Sequence, residues 1–288
     1  MTTTLRHLAS LGAQYHDPMA AIDWRAADDT RPWLPPALLS LAGPEAQDPM
    51  APEDLLRFSR VEFARLCAAG LWLEGLLISR VMRNGCLTTM PVEARVMLQE
   101  VREEAGHSLM FVEMIDRAGL GGVTLLGDIR LLTRVAHRLN PDQPEFWAMV
   151  YIGESVTDTL ALKTLREGED AICPVARQVL QFHHRDEARH MAAARVFLQT
   201  RVDAMSPLRR RLFETALGFL LRRFLRATLY PTEASLRAMG LKDPGGMARM
   251  AARSPDRARL AAECAAPALR YIGRTIPSRS PTAPEARP

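Results

Sequence analysis

The sequence His183-His184-Arg185-Asp186-Glu187-Ala188-Arg189-His190 decides the fold of this chain, because it places two histidines and a carboxylate on one helical stripe. An α-helix advances about 100° per residue, so positions i, i+4 and i+7 share a face. His183, Glu187 and His190 have this spacing. The last two form a Glu-x-x-His motif, and an earlier copy of that motif occurs at Glu104-Ala105-Gly106-His107.

Two single glutamates lie in apolar segments of helical character, one before each motif. Glu74 lies within Leu71-Trp72-Leu73-Glu74-Gly75-Leu76-Leu77-Ile78, and Glu154 lies within Met149-Val150-Tyr151-Ile152-Gly153-Glu154-Ser155-Val156. A buried carboxylate costs free energy unless it is paired or bound to a metal. Two Glu-x-x-His motifs and one glutamate from each of two other helices form the ligand set of di-iron and di-manganese bundles. The sequence therefore predicts four long helices around a dinuclear metal site.

The types of side chain narrow the choice of metal and suggest how its ligands are held. Carboxylates combined with imidazoles suit iron or manganese, and the number of carboxylates argues against a simple zinc site. Metal-bound histidines usually donate their other N–H to a carboxylate. An acid precedes each motif, so we predict that Asp186 bonds His107 and that Glu103 bonds His190 across the helices. Asp158 is a further candidate for the same role.

Several side chains near these motifs have ordinary structural explanations as well. A single Glu-x-x-His occurs by chance in many helices, and His183 could be a core histidine rather than a ligand. Tyr151 could line a substrate pocket or pack in the core. Glu62 lies among polar neighbours and is predicted to be solvated. The histidines predicted to face solvent are His16, His137 and His184.

Hydrophobic periodicity predicts an all-α protein, a four-helix bundle with additional flanking helices. Prolines fit the first turn of a helix, which needs no N–H from them. The predicted helices span residues 52–84, 91–118, 123–139, 143–168, 172–202, 207–229, 232–239 and 256–274. Residues 1–50 are predicted to be an irregular N-terminal arm with at most one short helix. Residues 51–275 form the predicted bundle domain, and residues 276–288 a disordered tail.

Composition argues against a membrane-spanning protein and disfavours nucleic-acid binding. The net charge is only +4, and the arginines at 209–211, 222, 223 and 226 share their segment with apolar residues at helical spacing. Such a run could bind nucleic acid, but a solvated helix face explains it better. No apolar run is long enough to suggest a membrane span.

The cysteines favour a reduced compartment. Cys67, Cys86, Cys173 and Cys264 are widely spaced and form no Cys-x-x-Cys motif. Neither a disulfide framework nor a structural zinc site is expected, and the N-terminus carries no secretory signal. We therefore expect a cytoplasmic protein.

The two Glu-x-x-His motifs, the two single glutamates and His183 together resemble a known family, the non-haem di-iron N-oxygenases of the AurF (p-aminobenzoate N-oxygenase) type in the ferritin-like superfamily. That group adds a third histidine one turn before the last Glu-x-x-His, as His183 stands before Glu187 here. The resemblance covers roughly residues 50–235. It implies a ferritin-like bundle whose metal ligands and catalytic residues are Glu74, Glu104, His107, Glu154, His183, Glu187 and His190.

The resemblance also implies an activity. The enzyme would bind two iron ions, use dioxygen, and oxidise the amine nitrogen of a small, typically aromatic substrate to hydroxylamine, nitroso or nitro products. Such chemistry belongs to secondary metabolism, including antibiotic biosynthesis. Electrons would come from an external reductase or ferredoxin, because the sequence has no nucleotide-binding glycine loop. A homodimer is possible for such a bundle.

Other functions stay open, because the fold alone does not fix the chemistry. A di-iron enzyme of this type could instead hydroxylate or cleave at carbon. A non-catalytic iron-binding or ferroxidase protein would take up more than about two irons per chain. A nucleic-acid-binding protein would show steeply salt-dependent retention on DNA or RNA.

Overall fold

The computed structural model describes residues 2–41, 50–84 and 90–276, and within them the chain is all-α with no β-strand. Short 3₁₀ turns occur at Trp24–Ala26, Pro36–Leu38, Glu169–Ala171 and Val202–Ala204. The helices, in chain order, are α1 Thr2–Leu11, α2 Pro18–Ala21, α3 Pro52–Asn84, α4 Pro91–Arg117, α5 Arg130–Ala136, α6 Pro144–Leu165, α7 Pro174–Arg201, α8 Pro207–Leu229, α9 Glu233–Ala238, α10 Pro244–Arg253 and α11 Pro255–Thr275.

Proline sets the start of every long helix. The five longest helices, α3, α4, α6, α7 and α8, each begin at a proline, as the sequence predicts. The fixed φ of proline suits the first helical turn. Helix α4 ends before Gly119, which has a φ of 67°. Glycine adopts this left-handed conformation without the steric penalty of a side chain, so it stops the helix cleanly.

The core is a bundle of α3, α4, α6 and α7, arranged as two antiparallel hairpins. In the first hairpin Gly70 of α3 faces Phe111 of α4 so closely that a methyl group would collide with the ring. Between the hairpins, a Cβ on Gly153 of α6 would lie 3.0 Å from Leu73 Cδ2 of α3. Because glycine lacks Cβ, these positions let the helices approach closely. The predicted all-α, ferritin-like bundle is confirmed.

The N-terminal segment, predicted as an irregular arm that could include one short helix, contains the ten-residue helix α1, which packs against α4 and α7. The Tyr15 side chain covers Gly106 on α4, where a Cβ would collide with its hydroxyl. The domain limits at residues 50 and 275 stay predictions, and the predicted tail lies outside the described residues from 277 onward.

Two flanking helices differ from the prediction. The helix expected at 123–139 is confined to α5, Arg130–Ala136. The preceding residues cannot be helical. Gly122 has a left-handed φ of 76°, and the N–H of Gly127 donates to Ala227 O of α8 at 3.1 Å instead of to a carbonyl of the same helix. Asp128 then accepts from the N–H of Arg130, which starts the helix. Helix α10, Pro244–Arg253, was not predicted because Gly245 and Gly246 suggest a loop.

The prediction for Glu62 is wrong. Its side chain is 2% exposed, and its carboxylate accepts from Arg257 Nη2 at 3.0 Å and from the N–H of Ser40. Arg257 is also buried and donates to the carbonyls of Leu38 and Leu229. This buried pair joins α3, α11 and the end of α8. The polar sequence neighbours of Glu62 do not indicate that its partner is Arg257, which lies on another helix far along the chain.

The arginine-rich segment forms a solvated helix face, as its composition predicts. The arginines of α8 are exposed or half-buried; Arg209 pairs with Glu145, with Nη2 2.7 Å from Oε2. Cys67, Cys173 and Cys264 are buried free thiols, and Cys86 lies outside the described residues. Among the described helices, none has the length and apolar character needed to cross a membrane.

Candidate metal centre

Seven side chains meet in the centre of the bundle, and they are the seven that the sequence selects. Each of the four helices contributes at least one: α3 and α6 one each, α4 two and α7 three. None is more than 6% exposed. They are Glu74, Glu104, His107, Glu154, His183, Glu187 and His190. Their assignment as metal ligands and catalytic residues stays a prediction.

Glu104 and Glu187 occupy the middle of the cluster, each between two histidines. Glu104 directs one oxygen to His107 Nδ1 at 3.4 Å and the other to His190 Nδ1 at 3.0 Å. Glu187 Oε1 lies 3.9 Å from His107 Nδ1 and 3.4 Å from His190 Nδ1. A carboxylate whose surroundings are shared in this way is suited to bridge two metal ions.

The other three residues complete the two ends of the cluster. Glu74 Oε1 lies 3.9 Å from both His107 Nδ1 and His183 Nε2. Glu154 can offer an oxygen within 4.8 Å of ligand atoms of His183 and Glu187. His183 Nε2 lies 3.2 Å from Glu187 Oε1, so this histidine faces the cluster rather than the surrounding core.

The unpaired atoms of the cluster fit a metal group. In the described part of the chain, seven of its buried atoms have no hydrogen-bond partner. They are Glu74 Oε1, both carboxylate oxygens of Glu104 and of Glu187, His107 Nδ1 and His190 Nδ1. Orphaned buried polar atoms are rare and costly. Here they converge from separate helices, and their carboxylate and imidazole chemistry suits iron or manganese.

Acids outside the cluster orient two of the histidines. Asp186 Oδ2 lies 3.2 Å from His107 Nε2, and Glu103 Oε2 lies 3.0 Å from His190 Nε2. Each acid reaches the histidine of the opposite helix, as predicted. With its Nε2 bonded to an acid, each histidine presents Nδ1 to the cluster. Asp158 does not share this role: it bonds Nδ1 of the half-buried His184 instead.

Three supporting residues were not predicted. Glu100, buried on α4, accepts from Arg189 Nη1 at 3.2 Å, and Arg189 also pairs with Glu103. Ser108 donates its hydroxyl to Glu74 Oε2 at 2.5 Å. Glu100 lies one turn before Glu104, so helical periodicity could have identified it. The contacts of Ser108 and Arg189 depend on how α3 and α7 pack against α4.

The carboxylates of the cluster have opposite pKa shifts. Burial raises the pKa of Glu74 and of Glu154 well above the ordinary value, and the neighbouring charges of Glu104 and Glu187 add to the effect. Burial acts in the same direction on Glu104, but the positive charges of His190 and His107 and the hydrogen bonds from both imidazoles together outweigh it and lower the pKa. The protein alone therefore holds two carboxylates poorly as anions, which a divalent cation would relieve.

The imidazoles of His183 and His107 also have opposite pKa shifts. Burial lowers the pKa of His183 to about 4, so its ring is neutral at pH 7 and has a lone pair to offer. Burial acts the same way on His107, but its hydrogen bonds with Asp186 and Glu104 and the negative charges of Glu104 and Glu74 together outweigh it and raise the pKa to about 10. A metal that binds His107 must therefore displace a proton.

Two apolar cavities reach the cluster from different sides. One lies between α3, α5, α6 and α8 and meets the cluster at Glu154. The other lies between α3, α4, α6 and α7, is lined by residues such as Phe63 and Phe111, and meets it at His183. Tyr151 lines neither cavity; it is buried and accepts from Arg195, so it is a packed core tyrosine.

Solved structures with the same fold include forms of the R2-like ligand-binding oxidase. A mutant of that oxidase with an aerobically reconstituted Mn/Fe cofactor has a TM-score of 0.58 at 16% identity, covering 96% of this chain and 94% of that chain. The oxidase with an aerobically reconstituted Mn/Fe cofactor after a long soak has a TM-score of 0.57 at 16% identity, covering 96% and 93%. Fold and cluster together place this chain in the ferritin-like fold class, with a buried cluster of carboxylates and imidazoles at the centre of the bundle.

Within that class, the chain belongs to the family of the p-aminobenzoate N-oxygenase AurF, whose sequence profile matches residues 3–275. The match extends well beyond the predicted range of 50–235 and includes α1, which packs on the bundle. Similar proteins include the uncharacterized protein Rv0885 of Mycobacterium tuberculosis and the uncharacterized protein Mb0909 of Mycobacterium bovis, each 26% identical over 225 residues. The matched region is 76% of this chain but only 66% of each relative, less than two thirds.

Replacing His183 with alanine tests whether the third histidine is a ligand. We expect the helical fold and metal uptake to persist, the optical spectrum of the iron-loaded protein to change, and turnover to fall by at least about 10-fold. His184→Ala is the matched control, since that neighbouring residue is half-buried and bonds Asp158 instead. An unchanged spectrum and turnover in His183→Ala would mean that His183 only fills space.

Replacing Asp186 with asparagine tests the support of His107. Loss of the charge that holds Nε2–H should weaken metal affinity by about 10- to 100-fold, with the fold intact. Affinity would be measured by competition with a chelator. Glu113→Gln is the control, because that residue pairs only with partly exposed Arg117 on the same helix. Equal metal affinities of Asp186→Asn and Glu113→Gln would mean that Asp186 does not support His107 as a ligand.

Proposed function

We propose that this protein is a non-haem di-iron oxygenase that uses dioxygen to oxidise the amine nitrogen of a small aromatic substrate. The observation that carries the proposal is the convergence of His183 with the two Glu-x-x-His motifs and the two single glutamates. This set of three histidines and four carboxylates is what the resemblance to the AurF type implies, and the family match supports it.

The proposal assigns the metal positions from the contacts of the cluster. Glu74 with His107 would hold one ion and Glu154 with His190 the other, and His183 lies within reach of both Glu74 and Glu154. Glu104 and Glu187 would bridge them. Two bound iron ions would supply the redox chemistry with dioxygen. The similar solved structures hold Mn/Fe, so a mixed pair is the alternative that metal analysis distinguishes.

The protein's own residues would do three things. Asp186 and Glu103 fix the rings of His107 and His190 so that Nδ1 points to the centre. The surrounding apolar side chains exclude water, which protects a reactive oxidant from loss to solvent. The cavities at Glu154 and at His183 provide two separate approaches for a substrate and for dioxygen.

The proposed reaction requires an electron donor. An amine, dioxygen, two electrons and two protons give a hydroxylamine and water; further rounds would give nitroso and nitro products. We propose that the electrons come from an external reductase or ferredoxin. The pathway we propose is biosynthesis of a secondary metabolite.

A substrate screen with labelled oxygen tests the function. Protein loaded anaerobically with iron(II) would be mixed with ¹⁸O₂, a chemical reductant and a panel of arylamines, and the products analysed by mass spectrometry. We expect ¹⁸O on nitrogen. Products oxygenated only at carbon would overturn the proposal in favour of a carbon hydroxylase. Iron uptake far beyond about two per chain with no organic product would indicate iron storage.

A further inference from the structure

The outer face of α4 carries a continuous stripe of exposed apolar residues, the α4 stripe. Leu98, Leu109 and Val112 are 43%, 58% and 52% exposed, and Ala105 between them is exposed as well. Their spacing places all four within about 60° of one another around the helix. Single exposed apolar residues are ordinary, but this stripe continues for about 21 Å along α4. Continuous apolar patches of this kind mark interaction surfaces.

Helix α3 widens this surface. Glu74 of α3 accepts from Ser108 of α4, so the residues around Glu74 lie beside the middle of the α4 stripe. Gly75 and Met82 are exposed and share one face of α3 with the half-buried Ile78. Within the described residues, a Cβ on Gly75 would meet no atom within 4 Å. The hairpin of α3 and α4 therefore presents an open apolar surface that is two helices wide.

The order of residues along the α4 stripe is self-complementary. If a second α4 packs antiparallel with Ala105 facing Ala105, Leu98 lies opposite Val112 of the second copy, because each is seven residues from the centre. The same pairing places Leu109 opposite Val101 of the second copy. The small side chain at the centre lets the two helices approach closely. A twofold interface requires this property, since the same patch serves on both subunits.

The charges at the two ends of the α4 stripe complement each other in the same pairing. Arg95 lies ten residues before Ala105, and Asp116 lies eleven residues after it. Both are exposed, and in the described part of the chain neither has an opposite charge within 4.0 Å, since the neighbouring Arg117 pairs with Glu113 instead. The antiparallel pairing brings Arg95 of each copy to Asp116 of the other. Complementary charges of this kind fix the register of an interface.

A second exposed apolar stripe, on α8, lacks this complementarity. It contains Leu208, Leu212 and Phe219, which are exposed. The exposed arginines at 211, 222 and 226 lie on the same face of the helix. Two copies of that face would bring positive charge against positive charge, which opposes their association. The charge pattern therefore favours the α4 stripe as the contact between copies.

We propose that the α4 stripe and the exposed edge of α3 form the interface of a homodimer, in which two α4 helices pack antiparallel about a twofold axis at Ala105. The second copy covers the outer face of the two helices that supply Glu74, Glu104 and His107 to the cluster. Ala105 directly follows Glu104, so the axis passes behind the centre of the metal site. The interface does not depend on the chemistry at the cluster.

Sedimentation analysis of the full-length chain tests the interface. We expect wild type to be dimeric above about 1 μM. Leu109→Arg should raise the dissociation constant of the dimer at least about 30-fold, because it places a charge in the stripe and close to Arg102 of the second copy. Leu212→Arg is the matched control, since Leu212 on α8 is 63% exposed against 58% for Leu109. Circular dichroism would establish that both variants keep their helices.

An exchange of charges tests the register of the two helices. Arg95→Glu and Asp116→Arg each place like charges opposite each other, and each should weaken the dimer at least about 5-fold. The double variant restores opposite charges and should recover most of the lost affinity. Failure of the double variant to recover any affinity would overturn the antiparallel register.

An introduced cysteine locates the twofold axis. In a Cys86→Ser background, Ala105→Cys places two identical thiols together across the axis, and oxidation by diamide should join them as an intermolecular disulfide. Ala216→Cys, at an exposed alanine of α8, should give no covalent dimer. A monomeric wild type would overturn the proposal. A dimer that survives Leu109→Arg but dissociates in Leu212→Arg would overturn it as well and assign the interface to α8.

Discussion

Glu104→Ala should reduce metal binding from about two ions per chain to one at most and abolish turnover, because Glu104 faces both halves of the cluster. Its two oxygens point to His107 and His190 separately, and no other α4 carboxylate in the described part of the chain lies within 4.0 Å of both histidines. A metal that binds only the folded state at 100 times its dissociation constant stabilises by about 2.7 kcal/mol. The variant should forfeit stabilisation of this order, roughly 5–10 °C in melting temperature with metal present.

Elemental analysis and thermal unfolding with and without metal would measure both effects. Circular dichroism would first establish that the variant keeps its helices. Glu113→Gln on the same helix is the control and should behave as wild type. Full retention of two metals in Glu104→Ala would mean that α4 does not supply a bridging ligand.

Arg257→Met should cause the largest loss of stability away from the metal centre. It would leave the Glu62 carboxylate buried without its cation, and breaking one side of a buried pair costs about 3–5 kcal/mol. Three separate contacts hold Arg257, to Glu62, Leu38 and Leu229, and the substitution removes all of them. Denaturant unfolding would measure the change in the free energy of unfolding.

Two comparisons make this result interpretable. Arg259→Met removes an exposed arginine on the same helix that pairs with Asp256, and it should cost less than about 1 kcal/mol. Glu62→Gln combined with Arg257→Met should recover part of the loss, because position 62 then carries no buried charge that has lost its arginine. If Arg257→Met costs no more than Arg259→Met, the buried pair is not a significant source of stability.

The sequence predicts the centre of this protein well because the information there is local. Helical periodicity places His183, Glu187 and His190 on one face, and the acids before each motif predict the cross-helix bonds of Asp186 and Glu103. The proline starts of the long helices are equally local. Each of these inferences depends only on residues within two helical turns of one another.

What the sequence does not predict depends on contacts between distant segments. Glu62 is buried because Arg257 reaches it from another helix, although its own neighbours are polar. Helix α5 begins late because Gly127 bonds the end of α8. That Arg80 and Glu154 line the same apolar cavity follows only from the packing of α3 against α5, α6 and α8.

Anomalous X-ray diffraction from crystals loaded with iron(II) tests the central claim most directly. Data collected at the iron and manganese edges would locate each metal independently of any assumed ligand. We expect two anomalous peaks about 3.5–4 Å apart. Both should lie within the cluster, with Glu104 and Glu187 between them and the Nδ1 atoms of His107 and His190 directed at the metals. A single peak, or no peak within this cluster, would contradict the dinuclear centre and the oxygenase function that depends on it.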